Sequence, residues 1–323
     1  MPDRATIIAD FLAGGPWQDW AQTPLAGDAS ARRYLRLSSG PETAILMDAP
    51  PENGEDTRSF VDIANLLCQH GFAAPDILGH APKNGLLLLS DLGINDFAQW
   101  LQDMPSDEMI LYRSAADILL RLEEVTPPAH LKKMTPAVGA EMVAIIGPYY
   151  SHAPTDDLCA QVHHALAEFA PDPDTLALRD FHAENLIWRA NLTGHDKVGL
   201  LDFQDAFIAP AGYDLASLLR DARRDVSPSV ATEMIQYFTD STRAKGQFQT
   251  TFACLAVQRN LRILGVFARL VTEMGKPRYL DFMPRVWGHI LQDLQDPALA
   301  NLQQAVLDTV PAPTPEKLAR LVA

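Results

Sequence analysis

The stretch "LALRDFHAENLIW", Leu176–Trp188, sets two apolar runs around a polar centre of Arg179, Asp180, His182, Glu184 and Asn185. A buried strand cannot carry such a centre cheaply, because each buried polar group left unpaired costs about 1–3 kcal/mol. The centre is therefore expected to leave the strand as a tight loop. With "TLAL" as strand, Asp180 departs at its end and Asn185 opens the second run, "LIW". Seventeen residues after Asn185, the near-continuous apolar strand "KVGLLDFQDA" also ends on an aspartate, Asp202.

Two carboxylates and an amide at strand ends suit phosphoryl transfer. One Asp accepts the proton of a hydroxyl, while a carboxylate and an amide oxygen hold the magnesium that neutralises a triphosphate. Taken singly, Asp180 and Asn185 are equally ordinary turn-formers and Asp202 an ordinary strand end. The order D-x-x-x-x-N followed by D-F favours the catalytic reading.

The rest of the chain frames that loop. Its 323 residues are 47% apolar and 21% charged, an ordinary globular composition long enough for two domains. With 41 acidic against 26 basic residues the formal net charge is −15, which repels a nucleic acid backbone. Cys68, Cys159 and Cys254 lie far apart in helical runs, suggesting neither disulfides nor a thiolate metal site. The N-terminal "MPDRATIIADFLAGG" is too short in apolar residues for a signal peptide, and no window reaches the length of a membrane span. A cytoplasmic enzyme without a membrane partner is expected.

From about Trp20 to Ser90 the texture is extended: "RRYLRLS", "TAILMDA", "PDILGHA" and "GLLLLSD", separated by turn residues. Between the second and third, "EDTRSFVDIANLLCQHGF" places Phe60, Ile63, Ala64 and Leu67 at helical spacing, with Gly71 as the stop. Beyond Asn95 the pattern predicts helices over 106–124, 135–150, 156–169, 212–224, 228–244, 250–274, 283–294 and 299–309. The expected fold is α+β, with a β-rich domain over 1–93 and a mostly helical one over 94–323.

These motifs resemble the aminoglycoside phosphotransferase and choline kinase family, relatives of the protein kinases. "LALRDFHAENLIW" is similar to that family's H-G-D-x-x-x-x-N loop, "VGLLDFQDA" to its I-D-[FW]-x-[DE] strand, and "APAGYDLASLLRDAR" to its G-x-x-x-x-D-L-A segment. The resemblance implies a bilobal protein-kinase-like fold that uses ATP and Mg2+. It also implies Asp180 as catalytic base, Asn185 and Asp202 as magnesium ligands, and Asp214 as a structural acid bracing the loop. Leu178 stands where the family has its loop histidine, and His182 follows two residues after the Asp, as a substrate contact or a loop cap.

On the nucleotide side, "PLAGDASARRYLRL" sets Gly27, Asp28, Ala29 and Ser30 between two extended runs, resembling a phosphate-covering hairpin. The third strand, "TAILMDAPP", carries Met47 where a phosphate-gripping lysine is expected. Either Arg32 or Arg33 takes over or nucleotide is held mainly by magnesium and backbone, and only one of the two arginines can face the nucleotide, since neighbouring strand residues point to opposite faces. The lysine's acidic partner has no clear match, Asp62 being the nearest candidate. "LLLLSDLG" resembles a hinge that offers backbone at Ser90 and Leu92 to adenine.

For the acceptor, "GDASARRYLRL", "ILMDAPP" and "AVQRNLRILGVFARL" with "GKPRYL" together resemble the bacterial anomeric kinases of N-acetylmuramic acid and N-acetylglucosamine. On the long helix, Gln258, Arg262, Gly265 and Arg269 fall on one face. Arg262 and Arg269, beside a glycine notch, are candidates to meet an anionic sugar. An aminoglycoside kinase and a non-catalytic nucleotide-binding protein lacking the lysine are the two rival readings.

Overall fold

The computed structural model describes residues 3–25, 32–243 and 247–322. Contacts divide the chain into two compact units, one of residues 1–96 and 185–205, the other of 97–184 and 206–323. The first unit thus takes a segment from the middle of the chain, which a boundary drawn along the sequence at Gly93 does not anticipate.

The first unit opens with helix α1 (Arg4–Ala13), whose N-cap Asp3 accepts from Thr6 N at 2.8 Å. Strands β1 (Ala21–Pro24), β2 (Arg33–Ser39) and β3 (Glu42–Asp48), helix α2 (Thr57–Gln69), and strands β4 (Ile77–Ala81) and β5 (Leu86–Ser90) follow. The five strands form one antiparallel sheet in the order β1-β2-β3-β5-β4. Residues 86 to 89 of β5 are all leucine and buried, as a strand covered on both faces must be. Alternation sends Leu86 and Leu88 to one face, where they meet Leu37, Leu46 and Leu12 of α1. On α2 the predicted Phe60, Ile63, Ala64 and Leu67 are the buried stripe. The chain leaves α2 through Gly71 at φ +73°, a backbone that side chains other than glycine's resist.

The second unit carries α3 (Phe97–Asp103), α4 (Glu108–Leu122), α5 (Pro136–Val143) and α6 (Asp156–Phe169). Four short strands come next: β6 (Thr175–Ala177), β7 (Leu186–Trp188), β8 (Val198–Leu200) and β9 (Phe207–Ala209). Strand β6 pairs with β9 inside the second unit, while β7 pairs with β8 inside the first. Helices α7 (Tyr213–Leu219), α8 (Pro228–Ser241), α9 (Phe248–Thr272), α10 (Met283–Asp293), α11 (Ala300–Thr309) and α12 (Pro315–Ala319) complete the chain. Helix α9 packs against α5, α6, α7, α8 and α10 and is buried nearly all round.

Two predicted helices are shorter than their pattern. The run over 135–150 breaks after Val143 and resumes as a wide turn over Gly147–Ser151, where Pro148 removes a backbone donor. The run over 212–224 stops at Leu219, because Arg220 turns away to form a buried bidentate pair with Asp293 of α10 at 2.8 and 2.5 Å. Strand β9 and helices α1, α3 and α12 are not anticipated, being short or weakly periodic. No helix among the described residues is long and apolar enough to cross a membrane.

Candidate active site

The interruption in the opening stretch now has its reason. "LAL" belongs to β6 of the second unit, "LIW" is β7 of the first, and the polar centre is where the chain passes between them.

In the second unit, Leu178 and Arg179 leave β6 with their amides donating to Asp214 of α7, at 2.5 Å to Oδ2 and 2.9 Å to Oδ1. Asp180 N then donates to Leu178 O at 3.0 Å, closing a tight turn. Arg179 sits at φ +77°, a left-handed backbone that costs a non-glycine residue roughly 1–2 kcal/mol. Such strain persists only where surrounding contacts over-determine it, and here Asp214 supplies them. A second buried acid holds the other end of the loop: Asp221 accepts from Ala183 N at 3.3 Å and Arg223 N at 2.8 Å. Sequence reasoning missed Asp221, although it lies only seven residues after Asp214 in the same segment. Asp180 emerges from this frame with 39% of its side chain exposed and Arg259 Nη2 3.9 Å from Oδ1.

Burial pushes the Asp214 carboxyl up to about 7, against the pull of its two amide donors and of Arg259. Burial likewise raises Asp221, opposed by its bonds to Arg223 and Ala183. His182 is buried, with Arg223 Nη1 3.3 Å from its Nε2, and Arg223 also meets Glu184 at 3.0 Å. Burial, then the charges of Arg223 and Arg259, hold the imidazole well below its usual range, so it is neutral at pH 7. At 5% exposure the ring lies inside the loop, against Arg223.

Helix α9 departs from its predicted layout. Gln258 is buried, donating to Gly139 O at 2.9 Å. The glycine notch is filled: a Cβ on Gly265 would lie 2.7 Å from Ile145 Cγ2 and 2.9 Å from Ile146 N. Arg269 is exposed, ten residues and about 15 Å along the axis from Arg259. Arg262, three residues after Arg259, is half-buried.

In the first unit, Leu201 N donates to Asn185 O at 3.0 Å, setting Asn185 beside the end of β8, with Asp202 next along the chain. Asp202 also has a left-handed backbone, φ +55°, and accepts from Gln204 Nε2 at 2.9 Å. Phe203 is fully buried against Phe60 of α2, ring centroids 4.8 Å apart, which anchors the turn. Arg179 and Asp202 are two of the three non-glycine residues with positive φ among the described residues. Asn185 and Asp202 are hard oxygen donors, and Mg2+ binds through one or two such groups while phosphates and water complete its shell. The pair fits that ion.

The two arginines take different partners in this unit. Arg33 pairs with Asp48 at 2.5 Å, and Asp48 also takes Arg4. Arg32 turns the other way, to Glu55 at 3.4 Å and Asp202 at 3.8 Å. Glu55, just before α2, is thus the acid that Arg32 meets, one the sequence reading does not single out. Met47 is core, paired across the sheet with Tyr34 and Leu87. At the end of β5, Ser90 N donates to Asp76 O at 2.9 Å, so this amide is already engaged. Leu92 packs over β8, where a Cβ on Gly199 would lie 3.0 Å from Leu92 Cδ1. Arg36 pins this turn through Asp91 at 2.7 Å and Gly93 O at 3.1 Å. Gly27, Asp28, Ala29 and Ser30 lie outside the described residues.

Residues 21–248 match the phosphotransferase enzyme family, APH. The chain belongs to the APH phosphotransferase family. As an APH member it is an enzyme that transfers a phosphoryl group to a hydroxyl acceptor. Over 93% of its length it is 33% identical to an N-acetylmuramate/N-acetylglucosamine kinase of Caulobacter vibrioides, covering 95% of that protein. A kinase of the same description from Pseudomonas aeruginosa is 31% identical over 83% of this chain and 82% of its own. Among solved structures, a putative aminoglycoside phosphotransferase from Ralstonia eutropha superposes with TM-score 0.67 at 10% identity, covering 93% of this chain and 98% of that one. A choline/ethanolamine kinase family protein from Mesorhizobium loti gives 0.64 at 13% identity, covering 94% and 99%. Likeness at such identity shows the fold alone, the α+β kinase-like one.

Proposed function

We propose that this APH enzyme is an ATP-dependent kinase of N-acetylated amino sugars, phosphorylating the anomeric hydroxyl of N-acetylmuramate and N-acetylglucosamine. The observation that carries the chemistry is Asp180, half-exposed on a turn that two buried aspartates fix by three backbone hydrogen bonds. Support for the acceptor comes from relatives of that description matched over most of both chains.

In this reading Asp180 accepts the hydroxyl proton as the sugar oxygen forms its bond to the γ-phosphorus. The bond from that phosphorus to the β,γ-bridging oxygen breaks, and ADP leaves with the electron pair. Asn185 and Asp202 hold magnesium, which when bound neutralises phosphate charge. Arg32, aligned by Glu55, takes the place of the missing lysine and reaches the phosphates from the side of Asp202. That placement weighs against a chain that binds nucleotide without turnover.

The test is ADP release with magnesium and a panel of N-acetylmuramate, N-acetylglucosamine, kanamycin and choline. Phosphorylation at the anomeric carbon also abolishes the reducing-end reaction of the product, whereas transfer to any other hydroxyl keeps it. Turnover of kanamycin alone would overturn the reading.

A further inference from the structure

Helix α9 brings two arginines to the catalytic loop, and they stand in different electrostatic situations. Arg259, 5% exposed, lies 3.9 Å from Asp180. Its charge also acts on Asp214 and Asp221, so it is balanced by the acids of the loop. Arg262 stands one helical turn on, about 4.5 Å along the axis. It is half-buried, and among the described residues no hydrogen bond or ion pair engages its guanidinium. Burial pulls Arg262 below its usual range; Tyr213 and Asp180 act against this, and Arg179 and Arg259 add to it. In a chain with 41 acidic residues, a half-buried guanidinium with no carboxylate beside it is an unusual arrangement. Holding it there is costly unless an anion arrives to accept its hydrogen bonds.

We infer that Arg262 is the acceptor-side anion receptor, binding a carboxylate that the sugar carries a few bonds from the reacting hydroxyl. This rests on the sugar-kinase reading and adds its selectivity. An acid sugar gains a charge-assisted, bidentate contact that a neutral sugar lacks, and a polycationic acceptor meets like charge. The same guanidinium chemistry would also suit the terminal phosphate of ATP, and the two sources separate experimentally.

N-acetylmuramate and N-acetylglucosamine differ in the lactyl carboxylate, so the readout is the ratio of their kcat/KM values in wild type, Arg262→Gln and Arg262→Lys. The ratio of acid to neutral sugar should fall about tenfold or more in Arg262→Gln, with part restored by Arg262→Lys, which keeps charge without the planar fork. Equal loss on both sugars, or a change confined to KM for ATP, overturns the inference and assigns the group to phosphate. Equilibrium binding of each sugar without ATP reads the same preference independently of turnover. A protein that binds the acid sugar through Arg262 yet phosphorylates neither refutes the kinase reading alone. Binding the acid sugar no better than the neutral one refutes this inference.

Discussion

Asp180 is held in place by what surrounds it. Its backbone follows a left-handed Arg179 whose amide is tied to Asp214, so the carboxylate has few orientations open to it. Asp180→Asn keeps shape and removes the proton acceptor; kcat should fall by about 10²–10⁴ with little change in nucleotide affinity. Steady-state kinetics beside a nucleotide titration checks this, and equal loss in both would count against a base. Arg32 is argued the same way. Arg32→Met should raise KM for MgATP by about tenfold, and Arg33→Met, whose partner is Asp48, far less. The reverse ranking would return the role to Arg33. From the sequence, the two adjacent arginines were equal candidates for a nucleotide cation. Choosing between them required knowing that Arg33 stands opposite Asp48 in the register of β2 and β3.

Elements here are ended and joined by buried charge as much as by propensity. Helix α7 stops where Arg220 swings to Asp293 of α10, and both side chains are nearly inaccessible, at 6% and 4%. Burial raises the Asp293 carboxyl while the bonds from Arg220 oppose that shift. Removing one member leaves the other charged and dry, so Asp293→Ala should cost about 3–5 kcal/mol, read by urea unfolding. A loss below about 1 kcal/mol would mean that water reaches the pair. Helix periodicity could not foretell this stop, since the residues after Leu219 continue a plausible helical pattern and the partner lies seventy-three residues away. Long periodic elements such as α6 were legible to the residue, because an amphipathic stripe is a local signal. The three-residue strands β6 to β9 have no period to read, and only an apolar run marks them.

At the scale of the molecule, a formal charge of −15 coexists with a cationic neighbourhood around Asp180, so net charge says nothing of the acceptor. A half-buried histidine governs part of the response to acid. Burial, with Arg220 and Arg285, lowers His289 from 6.5 to about 4. Between those values the unfolded chain binds the extra proton, so this contribution is complete above pH 6.5 and is lost as pH falls toward 4. Asp214, raised to about 7, works oppositely, its contribution being lost as pH rises from 3.8 through 7. His289→Asn isolates the first effect: the slope of stability against pH between 4 and 6.5 should decrease by up to about 1.4 kcal/mol per pH unit. Identical slopes in urea melts across that window would refute it. By itself the sequence determined the α+β class, most of the order of elements and the loops that carry Asp180, Asn185 and Asp202, because strand ends and short polar loops are local in the chain. Only the tertiary structure decided that 185–205 joins the first unit, that Arg32 pairs with Glu55, that Asp221 clamps the loop and that Arg262 keeps a guanidinium without a carboxylate. Each of these depends on which distant residues share a buried environment, and burial is a property of the folded chain.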